Sequence, residues 1–175
     1  LRQNEKIIEN LAIDIENNFP ALIVKYKAKV GFPFQMVKEE CIKNDIAFIV
    51  SSDKEEINYV GFLENDFNKD LAGKIGVPLM IVPENYEFKP FNKILYTTNY
   101  NKEDVKSLEM IIHWFKGYLP QITGLHITDN VEFEEKINKK GFESILKQEL
   151  DYKNFKILQK KGKNVVDEIS GYADD

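Results

Sequence analysis

The sequence predicts an α/β protein in which helices flank a parallel sheet. Three observations lead there. Short unbroken apolar runs, IAFIV at 46–50 and LMIV at 79–82, have the composition of strands covered on both faces. Between and beyond them lie stretches with apolar residues three and four apart, the spacing of amphipathic helices. The two kinds alternate through short links, an arrangement that calls for parallel pairing and crossover connections.

In chain order, residues 2–18 place Ile7, Ile8, Leu11 and Ile15 on one helical stripe that continues to Phe19 and stops at Pro20. ALIVKYKAKV at 21–30 alternates apolar residues with lysines, as a half-exposed strand does, until Gly31 and Pro33 break it. Residues 34–44 return to helical period, with Met36, Val37 and Cys41 inward, and feed the strand at 46–50. After a polar loop, a helix is expected over about 65–74, capped by Gly76 and stopped by Pro78 ahead of the strand at 79–82. A polar connector with Pro83 and Pro90 leads to a strand at 94–97. Then come a helix at 103–118, a strand at 122–127, a helix at 131–150, a strand at 155–159 and a last helix from Asn164.

The chain has 175 residues, enough for one good core or slightly more than one ordinary domain. A formal net charge of −5 gives no global field for nucleic acid, and QKKGKN at 159–164 reads as a solvated face. Cys41 is the only cysteine, so no internal disulfide forms; on its apolar stripe it reads as packing. No apolar run approaches the roughly 20 residues that span a bilayer, so no membrane partner is expected and the simplest compartment is the cytoplasm. MVKEECIKND at 36–45 and VVDEISGYAD at 165–174 agree in period and polarity, and each follows a strand and a glycine. The chain is therefore expected to be a piece of a tandem array, trimmed at both ends.

KILYTTN at 93–99, ITGLHIT at 122–128 and GVPLMIVP at 76–83 together resemble the universal stress proteins, in their two-domain form. They look like that family's first strand, its second strand ending in His and an aliphatic residue (here His126 and Ile127), and its closing strand with Val-Pro. The resemblance implies an adenine-nucleotide-hydrolase-like fold with strand order 3-2-1-4-5. Residues 1–90 would be the C-terminal half of one such domain, from its second helix to its fifth strand. Residues 91–175 would be the N-terminal half of the next, from its first strand to its third helix. The halves are then expected to complete one composite sheet, within a chain or by exchange between two chains; fully extended, the connector at 82–93 reaches at most about 35 Å.

In nucleotide-binding members of that family a glycine loop after the fourth strand cradles phosphate through its amides. The matching stretch is SSDKEEINYVGFLENDF at 51–67, where Lys54 and Glu64 replace glycines and Asn65 a hydroxyl residue, and Asp53, Glu55 and Glu56 add repulsion. The resemblance thus implies a regulatory stress-response protein that acts by homodimerisation and partner binding, without catalysis or a cofactor. The alternative is an ATP- or AMP-binding sensor. In that case Thr98, Asn99, His126 and Ile127 would line the adenosine side of a site completed beyond Asp175, with Ser51 and Lys54 the remnants in the first loop. Asn99, where the family has aspartate, reads first as a helix N-cap. His126 reads as a structural histidine ending a buried strand, and His113 as a residue among core neighbours with no acid partner. Tyr86, Phe88 and Phe91 read as cover for a strand end. The adjacent acids Glu134–Glu135 and Asp174–Asp175 point apart on a helix and make poor metal sites.

Overall fold

The computed structural model describes residues 2–53, 66–130 and 132–173. The chain is α/β, with parallel sheets flanked by helices, and divides into two compact units, Leu1–Asn85 and Tyr86–Asp175.

The first unit contains α1 (Arg2–Asn18), α2 (Pro33–Lys43), β1 (Ile49–Asp53), α3 (Asp66–Lys74) and β2 (Leu79–Pro83). Pro33 opens α2, a position where its missing N–H has no intrahelical partner to lose. β1 and β2 pair in parallel, with Ile49 beside Leu79 and Ser51 beside Ile81. Among the described residues they form a sheet of two strands, and that limits burial. The expected strand at 46–50 begins later, at Ile49, and Ile46, Phe48 and Val50 are exposed rather than covered on both faces. β2 is half-buried along its length instead of enclosed. On α1 the inward face is Ile8, Ala12 and Ile15, while Ile7, Leu11 and Phe19 are exposed.

Residues 22–30 are not a strand. Their alternation is real, but no neighbouring strand takes up their amides and carbonyls among the described residues, and Ile23 and Val30 remain 87% and 77% exposed. Polar contacts hold the segment instead. The Val24 amide donates to Glu16, and Lys27 and Lys29 donate to the two oxygens of Glu40 at 2.7 and 2.6 Å. The two lysines, Lys27 foremost, hold the Glu40 carboxyl down at about 2.

The second unit contains β3 (Lys93–Thr97), α4 (Lys102–Phe115), a 3-10 turn (Lys116–Tyr118), β4 (Gln121–Thr128), α5 (Phe133–Glu149), β5 (Phe155–Lys161) and α6 (Val165–Ala173). Its sheet runs β3-β4-β5, all parallel, with Tyr96, Gly124 and Ile157 in one row. Ile122 and Ile157 share a face with the buried Leu108 of α4 and Phe142 and Leu146 of α5, and this cluster is the unit's core. Gly124 lets β5 come close: a Cβ there would lie 3.2 Å from the Phe155 ring. Phe91 packs on Phe115 at 4.5 Å between centroids, and Phe88 and Tyr118 extend that aromatic group, which fits the reading of Phe88 and Phe91 as cover.

The composite sheet expected within one chain is not formed: the strands make two separate sheets, β1-β2 and β3-β4-β5. Among the described residues no helix is long and apolar enough to cross a membrane.

Two substitutions test this packing. Leu108→Ala, at a fully buried position, is expected to cost about 2–5 kcal/mol in urea unfolding. Leu119 closes the 3-10 turn in the left-handed region (φ 51°) with its side chain 68% exposed. Leu119→Gly is therefore expected to raise stability, by up to about 1 kcal/mol.

Candidate functional site

The carboxyl ends of β3 and β4, with the turn into α4 and the first turn of α5, gather the polar groups of the second unit. Thr98 follows β3, and its amide donates to the Leu125 carbonyl, continuing the ladder one residue past the strand. The Thr98 carbonyl accepts from His126 Nδ1 at 2.7 Å, so that nitrogen carries a proton. His126 Nε2 lies 3.1 Å from Glu135 Oε2 but makes no aligned hydrogen bond. The contact is an electrostatic one, favourable when the ring holds both protons. Gln159 of β5 makes a long contact, 3.5 Å, to the same carboxylate oxygen.

Tyr100 covers this histidine. Its ring centroid is 4.4 Å from that of His126 and 5.4 Å from that of Phe142, and its backbone sits at φ 61°, a strained setting for an aromatic residue. Its hydroxyl is buried, with no hydrogen-bond partner among the described residues. Burial, then the charges of Glu135 and Glu143, push that hydroxyl up to about 12, so it stays a neutral donor at any ordinary pH.

Asp104, in the first turn of α4, organises the other side. Its Oδ2 accepts from the Thr98 hydroxyl at 2.7 Å and the Asn101 amide at 3.0 Å, with the Asn99 amide at 3.3 Å; its Oδ1 accepts from the Tyr96 hydroxyl at 2.8 Å. Burial pulls its carboxyl upward, but the Thr98 and Tyr96 hydroxyls and the two amides outweigh it and hold it below the usual carboxylate range. The helix N-terminus, where an anionic ligand would be drawn, is thus filled by a carboxylate of the chain itself.

Of the residues expected at a ligand site, Thr98 and His126 meet directly. Ile127 is half-buried on β4, next to His126. Asn99 is exposed, and the N-cap of α4 is Asn101, two residues later than expected. Ser51 is half-buried on β1 in the first unit, and Lys54 lies outside the described residues, with most of the expected phosphate loop. His113 is exposed rather than set among core neighbours. Asp104, Tyr100 and Glu135 are the residues that sequence reasoning missed. Asn101-x-x-Asp104 is a legible capping pattern; the positive φ of Tyr100 leaves no mark in the sequence. Also unforeseen is Asn68 of α3 in the first unit, buried, its Oδ1 without a hydrogen-bond partner among the described residues.

Chemically, this arrangement ties two strand ends to two helices. Its histidine is enclosed. Against protein-family models, curated proteins and solved structures, the chain finds no match.

Asp104→Asn is expected to lower stability by about 1–2 kcal/mol, since the Thr98 and Tyr96 hydroxyls lose a charged acceptor. The folded carboxyl lies below its unfolded value, so its stabilisation is complete above that value and is lost as pH falls through the folded one. Urea unfolding followed below about pH 4 should show a stability loss in the natural protein that is shallower in Asp104→Asn.

Proposed function

We propose that this chain is a universal-stress-type regulatory protein that acts through dimerisation and partner binding and holds no nucleotide. The observation that carries the reading is Asp104. Its carboxylate accepts from Thr98, Asn99 and Asn101, so the turn after β3 offers phosphate a half-buried negative charge in place of free amides. The first-half loop agrees, with Glu55, Glu56 and Glu64 where a phosphate cradle would be. Partner binding is supported by apolar side chains that the first unit leaves in water, among them Ile23, Val30 and Phe32. In this reading, exchange between two chains supplies the strands that would extend each small sheet toward the order 3-2-1-4-5. Catalysis has no part in it.

Isothermal titration calorimetry of this chain with ATP and AMP, with its mass measured by light scattering in the same buffer, tests the reading. No heat together with a dimeric mass is the expected result. Binding of either nucleotide at micromolar concentration would overturn it and favour the nucleotide sensor, with Thr98, Asn99, His126 and Ile127 at the adenosine.

A further inference from the structure

We infer that the outer edge of β5, with the groove beside it, is a docking site for an extended acidic peptide that adds as a fourth strand. This deepens the partner-binding reading by naming the chemistry of one partner.

Three observations on the second unit converge. First, β5 ends the sheet order β3-β4-β5, so among the described residues no strand pairs with its outer side. Seven residues of backbone, Phe155–Lys161, present a ladder edge there. Second, a half-open groove of about 570 Å³ runs between the C-terminal half of α5 and the start of β5. Its apolar lining comes from Leu146, Leu150, Phe155 and Ile157. Phe155 and Ile157 project to one face of β5 by strand alternation, so a strand laid along the edge would turn every second side chain toward this lining. Third, Lys147, Lys153 and Lys156 also line the groove, and none of them is in an ion pair among the described residues. Of the two acids there, Glu143 faces Lys139 at 3.8 Å, which leaves Asp151 against three lysines.

Charge selects the occupant. A second copy pairing antiparallel through β5, centred on Leu158, would set Lys156 opposite Lys160 of the second copy, a lysine already paired with Glu168, and so would bring no acid directly opposite Lys156. A chain of alternating acidic and aliphatic residues meets both requirements instead. Its aliphatic side chains enter the groove, its acids reach Lys153 and Lys156, and its amides and carbonyls join the β5 ladder. Strand addition of this kind draws affinity from the main chain and selectivity from the side-chain pockets.

The test uses the whole chain, labelled with nitrogen-15, and a capped peptide of alternating glutamate and valine. The expected result is amide shifts confined to β5 and the second half of α5. Binding should weaken about tenfold or more in Lys153→Glu/Lys156→Glu, two exposed positions whose reversal leaves the core untouched. A peptide of alternating lysine and valine should not bind. Peptides N-methylated at alternate amides, one for each register, separate ladder pairing from loose apolar contact: one register should lose binding. No shifts, equal binding of the basic peptide, or full binding by both methylated peptides would overturn the inference. Nucleotide heat in the calorimeter would sink the regulatory reading while leaving this result standing, so the two fail separately.

Discussion

Parallel strands need cover on both faces, because their crossover helices lie against the sheet and their side chains are apolar on either side. The second unit meets that need best at β4, where residues 122–126 are all buried. β4 has a strand on each side, and its Ile122 packs with helices α4 and α5 while α6 also packs against the strand. Gly124 follows from the same demand: β5 comes so close that a methyl group there would press on Phe155. Among its described residues the first unit has two strands, which cannot enclose each other, so β2 is half-buried and Val50 of β1 is exposed. How much of each unit is core therefore follows from how many strands it contains.

Closing the carboxyl ends of the strands falls to polar groups. β3 ends at Thr97, and the chain must turn within a few residues to start α4. Asp104 makes that turn definite by taking two hydroxyls and two amides, and His126 secures it from the next strand through the Thr98 carbonyl. The strain at Tyr100 is held in place by the stacking of its ring on His126 and Phe142. A histidine used this way is structural first. Both ring nitrogens face oxygen acceptors, and its plane is covered.

Much of this was legible in the sequence where a segment's pattern is met by its own neighbours. The helix at 2–18 and the strand starting at Phe155 are where period and punctuation put them, because helices close their own hydrogen bonds and Asn154 ends a polar turn. Residues 21–30 show the limit. Alternation marks a ribbon suited to a sheet, but a strand exists only with a partner, and here Glu40 and Glu16 take up the segment through side chains. The site divides in the same way. Asp104 follows Asn101 at capping distance and was readable. Glu135 was not, since its role depends on the first turn of α5 lying over the end of β4, a tertiary fact. Tyr100 sits between Asn99 and Asn101, residues far more at home at positive φ, and nothing local says that the aromatic takes it.

The two ends of the second unit differ in how they treat negative charge. At the carboxyl ends of the strands, Asp104 holds the donors that would otherwise draw an anion, and Glu135 adds a second carboxylate beside His126. At the amino end of β5, Lys147, Lys153 and Lys156 stand around an apolar groove that also holds Asp151, and none of the three is in an ion pair among the described residues. A phosphate approaching the first place meets a half-buried carboxylate whose charge repels it. An acidic side chain approaching the second meets exposed cations, each worth little alone in water but acting together over a short edge. Selectivity on this scale comes from placement, since the chain as a whole is negative.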